Sequence, residues 1–219
     1  MNTDVTKNFG RGGWKQDPEK VKQNILAVAL EEFAEFGYSG ARINRIAEKT
    51  HTSKRMLYYY FKDKDSLYRE VLSAAYREMR EGEQALDLDS LPADEAMRLL
   101  VEFTFKHHVK NRNFIRLVAI ENIHYGEHID DSSAFMKLNA PAVDRVAEIY
   151  QRGVREGLFR AGLEPVYIHW QISALACYNV TNQYTFSKGF GDQIWSDMGQ
   201  IKLCKQVAES VLAVIQKQV

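Results

Sequence analysis

The chain has 219 residues, 45% of them hydrophobic, with 29 Lys/Arg set against 29 Asp/Glu for a formal net charge of +0. That length and apolar content allow a large core in one or two domains, while the zero net charge argues against a general nucleic-acid coat. Two separated cysteines, Cys177 and Cys204, give no disulfide framework, and no apolar run approaches membrane-spanning or signal-peptide form, so a cytoplasmic chain with no membrane partner is expected.

Charge is unevenly placed. Residues 1–70 carry thirteen Lys/Arg and ten Asp/Glu; the remainder carries sixteen and nineteen. A modestly basic front and an acidic back suit DNA binding at one end. Residues 1–16 are polar, with Gly10, Gly12 and Gly13 beside Lys7, Arg11 and Lys15. They read as a flexible basic arm, either frayed or reaching a minor groove.

Asp17-Pro18-Glu19 opens the first helix with a cap, a first-turn proline and an acid at the positive end of the dipole. Val21, Ile25, Val28, Ala29, Phe33 and Phe36 form its apolar stripe, and Gly37 ends it. Ile43, Ile46 and Ala47 place a second helix's apolar groups on one face. Thr50, His51 and Thr52 break the pattern, and Ser53 can cap a third helix. From Lys54 to Phe61, Leu57 and Phe61 turn inward, which leaves Lys54, Arg55, Tyr58 and Tyr59 largely outward. Two short helices joined by a tight turn make a helix-turn-helix, whose second helix lies in the DNA major groove.

This stretch resembles the DNA-binding region of TetR-type transcriptional regulators. The shared positions are Ile46-Ala47, Ser53, Leu57-Tyr58-Tyr59-Tyr60-Phe61, Lys64-Asp65 and Leu67, with Phe33, Phe36, Gly37 and Tyr38 upstream. The likeness spans Val21 to Leu72. Two positions depart from the family habit. His51 stands where Gly is frequent, and His accepts the left-handed conformation better than a branched residue. Ala41 and Arg42 stand where Thr or Ser often opens the second helix, and a missing cap costs about 1 kcal/mol. The resemblance implies DNA contact by Arg42, Arg45, Thr52, Ser53, Lys54, Arg55, Tyr58, Tyr59 and Lys64. Arg45 and Arg55 are expected near guanine edges, and Lys64 on phosphate.

Asp63 can cap a fourth helix that buries Leu67, Val71, Leu72, Ala75 and Met79 and runs towards Glu81. The Gly82 to Pro92 stretch reads as a linker, which divides the chain into a DNA-binding unit over 17–81 and a ligand-binding and dimerisation unit over 82–219. The rest is helical by pattern, with breaks at Asn111-Arg112-Asn113, around Gly126 and at Gly157. Helices are expected from Pro141, over Val166 to Tyr184, and over Ile201 to Val214. No strand-like alternation persists, so the fold class is all-α.

The last two helices are assigned to self-association through Ile168, Ile172, Ala174, Leu175, Ala176, Ile201, Val207, Ala208, Val211 and Ile215. A homodimer doubles the DNA contacts across a two-fold operator, and the resemblance implies the same pairing. Polar groups among apolar helices suggest a small-molecule site built from His107, Glu121, Asn122, Tyr125, Trp170, Tyr178 and Asn182. Leu117–Gly126 and Trp170 are loosely similar to the pyrimidine-responsive branch of the family, too loosely to transfer the ligand. No cofactor or metal is expected, because the helix bearing Glu121 and His124 should end before His128. Cys177 reads as a small buried thiol and not a nucleophile. The resulting expectation is a dimeric regulator, a repressor released from double-stranded DNA by a small molecule and not an enzyme. The rival is an all-α enzyme or carrier with a vestigial DNA-binding motif, which lacks a nucleophile–base pair.

Overall fold

The computed structural model describes residues 17–129 and 133–217; the basic arm over 1–16 lies outside them. Ten α-helices follow one another: α1 Pro18–Gly40, α2 Ile43–Lys49, α3 Lys54–Phe61, α4 Lys64–Gln84, α5 Ala93–Lys110, α6 Arg112–Ile123, α7 Ser133–Arg155, α8 Pro165–Thr181, α9 Gln183–Phe190 and α10 Asp197–Ile215. A 3-10 turn at Gln193–Trp195 precedes α10. Among the described residues the only β pairing is an isolated bridge between Phe159 and Gln216, so the all-α expectation holds.

The helix starts follow their local chemistry. Asp17 accepts from the Glu19 amide at 3.1 Å, Ser53 from Met56 at 3.2 Å, Asp63 from Ser66 at 2.7 Å and Ser196 from Gly199 at 3.1 Å, each satisfying an otherwise orphan donor. Gly37 has φ +67 and breaks α1 before its last residues, a conformation open to glycine without a Cβ clash. Pro141 sits inside α7, which begins eight residues earlier than the proline suggested.

Two large apolar clusters hold the chain together, with a smaller third of Ala75, Met79, Phe114, Ile115 and Val180 joining α4, α6 and α8. Ile25, Ala29, Phe33, Ile46, Leu57, Phe61, Leu67, Tyr68, Val71 and Leu72 form the first, built by α1 to α4 and closed by Leu117 from α6. The second joins α5, α7, α8 and α10 through residues such as Met97, Phe105, Ile149, Ile172 and Val211. Full burial of each such side chain stabilises by about 1.5–3 kcal/mol, well above the ~0–1 kcal/mol of an exposed ion pair such as Lys106–Glu102. Between the clusters, α4 runs unbroken to Gln84. Gly82 lies in this helix, where a Cβ would come within 2.6 Å of the Phe103 ring, and Leu88 is fully buried. The Gly82 to Pro92 stretch is therefore helical for its first three residues and a packed turn beyond them, because Phe103 and the α7 side chains supply its partners.

Candidate nucleic-acid interface and effector region

The turn between α2 and α3 is tied by short-range bonds. Thr50 Oγ1 donates to the Ile46 carbonyl at 2.7 Å and lies 2.7 Å from Thr52 Oγ1. His51 takes φ 52, and the Thr52 amide donates to the Ala47 carbonyl at 3.0 Å. With Leu57 and Phe61 buried, the opposite face of α3 presents Lys54, Arg55, Tyr58 and Tyr59, and Tyr59 is 81% exposed. Tyr60 is half-buried, its ring 5.5 Å from Tyr59 and 6.2 Å from Phe61. Arg42 and Ser53 are exposed beside this face, and Thr52 is half-buried.

Arg45 and Lys64 are placed differently from the guanine and phosphate contacts expected of them. Glu32, fully buried on α1, accepts from the Arg42 amide at 2.9 Å and from Arg45 Nε at 2.6 Å. Arg45 Nη2 also donates to the Gly40 carbonyl at 3.0 Å, and its guanidinium lies 4.0 Å from the Phe36 ring centroid. Phe36 is consequently half out of the core. Lys64 Nζ donates to the Ala41 carbonyl at 2.7 Å and sits 4.8 Å from the Tyr38 ring centroid; burial pushes its proton affinity down. A carboxylate of α1 thus takes the amide at the α2 start, and an ammonium of α4 holds the carbonyl just before it. Glu32 was legible only as a charge on the apolar face of α1, one turn after Ala29.

A second polar junction joins this unit to α6. Glu121, buried near the end of α6, accepts from Tyr68 Oη at 3.0 Å and from the His128 amide at 2.6 Å. His128 Nδ1 lies 3.1 Å from the same carboxylate, and its ring lies tilted against Tyr38 with centroids 4.2 Å apart. Burial beside Glu121 drives the Tyr68 phenol far above its ordinary range. The Arg116 guanidinium donates to the Ala34 carbonyl at 3.2 Å across the same contact. Glu121 is therefore a fastening point between α4 and α6.

The residues expected to line a ligand pocket do not converge. Tyr125 is 98% exposed in a turn with φ 59, and Asn122 is exposed, its amide donating to the Val118 carbonyl. Trp170 is 69% exposed, Tyr178 is exposed, and Asn182 serves as the boundary between α8 and α9. Only His107 keeps both ring nitrogens buried. The reason is rotational. α8 buries Ile168, Ile172, Ala176, Asn179 and Val180 against its own subunit, which turns Tyr167, Trp170 and Tyr178 outward. For the same reason Ile168, Ile172, Val207, Ala208, Val211 and Ile215, expected at a seam between subunits, lie in the second core, and Ala176 is buried as well.

The α6 helix ends at Ile123, His124 is exposed, and His128 turns Nδ1 to the Glu121 carboxylate with Nε2 3.9 Å from Asp65 Oδ1. Burial pushes the Cys177 thiol up to about 11, which suppresses the thiolate a nucleophile needs.

A buttressed helix-turn-helix with outward lysine, arginine and tyrosine side chains on its second helix is the reading head of a helix-turn-helix regulator. The description "Bacterial regulatory proteins, tetR family" matches residues 25–71, and "Tetracyclin repressor-like, C-terminal domain" matches residues 94–211. The HTH-type transcriptional repressor NicS of Pseudomonas putida is 31% identical over 172 residues, 78% of this chain and 81% of that protein. The putative transcriptional regulator SCO4942 of Streptomyces coelicolor superposes with a TM-score of 0.68 at 25% identity, covering 89% of this chain and 98% of that one. A bacterial regulatory protein in the tetR family from Rhodococcus RHA1 shares the fold at a TM-score of 0.71 and 20% identity, covering 91% and 99%. The chain belongs to the TetR family of bacterial transcriptional regulators. Among the described residues no helix is long and apolar enough to cross a membrane.

Proposed function

We propose that the protein is a homodimeric repressor that holds a near-palindromic operator and is released from it by a small molecule in the cytoplasm. Residues 17–81 would bind DNA, and residues 82–219 would bind the effector and the second subunit. The observation that carries DNA reading is the outward row on α3: Lys54, Arg55, Tyr58 and Tyr59 are exposed while Leu57 and Phe61 anchor the helix. Arg42 and Ser53 add phosphate contacts at the rim. Arg45 and Lys64 would support the row from behind as positioning residues, through Glu32, Gly40 and Ala41. NicS is named a repressor, which supports repression over activation.

The dimer rests on α8. Tyr167, Trp170, Ala174 and Tyr178 recur at i, i+3, i+7 and i+11 on its outward face, with Met198 and Ile201 exposed on α10, which packs against α8. A row of large exposed apolar side chains on one face marks a surface that another chain covers. Release would follow from a population shift: the effector favours an arrangement of α4 and α6 that separates the two α3 helices wrongly for adjacent major grooves.

Capture of random genomic fragments by the full chain, followed by sequencing, tests the reading. A two-fold repeat with half-sites about one helical turn or slightly more apart is expected. High-affinity sites with no such repeat would overturn the dimeric operator.

A further inference from the structure

The effector reading leaves open what chemistry the molecule carries, and the core beside α4 answers it. Arg80 is 8% exposed, yet its Nε and Nη1 have no hydrogen-bond partner. Glu83 Oε2 approaches Nη1 to 2.6 Å, but off the N–H directions, so the contact is ionic without a hydrogen bond. On α5, which packs against α4, both ring nitrogens of His107 and Nδ1 of His108 are also buried without partners. Five of the seven such side-chain atoms among the described residues belong to these three residues. A buried unsatisfied polar group costs about 1–3 kcal/mol, more when charged, and native proteins keep few of them. Their concentration in one place points to a missing partner.

The character of that partner follows from what is orphaned. A guanidinium offers only donors, and a neutral imidazole offers one N–H and one acceptor. Burial and the Arg80 charge hold His107, His108 and His169 neutral. Burial also pushes the Glu83 carboxyl up to about 7, so the guanidinium is incompletely compensated near neutrality. The surrounding surfaces are rings. Phe103 lies 5.8 Å from His107, and Phe114 lies 6.2 and 6.4 Å from His107 and His108 and 5.0 Å from Tyr76.

We propose that Arg80, His107 and His108 form the anion-recognising end of the effector site, and that the effector carries a carboxylate on a small, flat, apolar body. This assignment rests on the effector-responsive reading above and gives it a chemical class. Two clefts flank the cluster. One of about 430 Å³ between α4 and α7 reaches Arg80 and Glu83, and one of about 440 Å³ beside the α5–α6 turn reaches His107 and Phe114. The clefts touch Arg80 and His107, but the orphan nitrogens themselves are buried from solvent, so a ligand meets them only after α4 or α5 shifts. Arg80 shares α4 with Lys64 and Tyr68, which brace α2 and α6. The movement that admits the anion therefore pulls on the mounting of the reading head.

The test melts the full chain at pH 7 with benzoate, phenylacetate and hexanoate, each beside its uncharged carboxamide. At least one carboxylate should raise Tm while its amide does not, and Arg80→Met should weaken that carboxylate's Kd tenfold or more. His108→Phe gives a second reading if Arg80→Met does not fold. The same carboxylate should release wild-type protein from captured DNA. No shift with any of the three, an equal shift with the amide, or an unchanged Kd in both variants overturns the assignment. A chain that captures DNA but ignores every carboxylate loses only this inference; a chain that captures no DNA loses the regulator reading itself.

Discussion

Glu32 Oε1, on a side chain with no solvent exposure, accepts from Arg45 Nε at 2.6 Å and lies 2.6 Å from Nη2 of the same guanidinium, whose side chain is 32% exposed. The same oxygen accepts from the Arg42 amide, so one carboxylate fixes the side chain that follows the α2 start and the backbone that begins it. Glu32→Ala should lower stability by about 1.5–3 kcal/mol, the range for hydrogen bonds to a charged group, as urea unfolding would measure. Arg45→Ala should destabilise in the same direction and weaken binding to all DNA sequences alike. A changed preference at one base pair after Arg45→Ala, with unaltered stability, would return Arg45 to the reading surface.

Lys64 gives a companion measurement. A lysine on phosphate releases one counterion, and its loss lowers the salt slope of binding by about one unit. Because Nζ instead bonds the Ala41 carbonyl, Lys64→Met should leave the slope unchanged and lower stability by about 1 kcal/mol. A slope reduced by a full unit, at wild-type stability, contradicts the internal role.

On α3 the expectation reverses. Tyr59 meets solvent almost entirely, so Tyr59→Ala should change stability by no more than about 0.5 kcal/mol while operator affinity falls at least tenfold. Arg55→Ala should relax preference at one base pair per half-site, worth about 1–3 kcal/mol of discrimination. If both variants bind operator and random DNA as the wild type does, α3 is not the reading helix.

Trp170 separates core from interface. A buried tryptophan cut to alanine costs about 3–5 kcal/mol, but this one is turned outward on α8. Trp170→Glu should leave the secondary structure intact by circular dichroism and shift sedimentation from dimer towards monomer. A stable dimer in the variant would place the subunit contact elsewhere.

The pH response follows from two groups of opposite sign. His108 falls from its ordinary 6.5 to about 3 in the folded chain. Between those values only the unfolded chain binds the proton, so stability falls as pH drops below 6.5, by up to about 1.4 kcal/mol per pH unit. Glu83 rises from 4.5 to about 7; there the folded chain holds the extra proton, and acidification across that window stabilises by a similar slope. The two oppose each other between 4.5 and 6.5. His108→Phe removes one of them, so its stability relative to wild type should improve by up to about 2 kcal/mol between pH 6.5 and 5. Chemical denaturation at both pH values checks this, and parallel pH curves would show that His108 is not held neutral.

Much of the architecture is legible in the spacing of residues along the chain. The spacing of Ile43, Ile46, Ala47, Leu57 and Phe61, the caps at Asp17, Ser53 and Asp63, and the left-handed His51 are properties of neighbouring residues. Hydrogen bonds within one turn and the 3.6-residue period act over a few positions, so they are written locally in the chain. The family-wide reading head followed from the same short stretch.

The all-α class, the helix-turn-helix and the outward row on α3 are thus written in local pattern. Which way α8 rotates is not, because that helix has apolar residues on every side and neighbours from α5, α7 and α10 choose the buried face. That choice moved Trp170 and Tyr178 from a pocket to the surface. It likewise took packing across dozens of residues to set Glu32 under Arg45, Lys64 under Ala41 and Glu121 against Tyr68. Charges that bury in pairs depend on partners far away in the chain, and no local period encodes where those partners will stand.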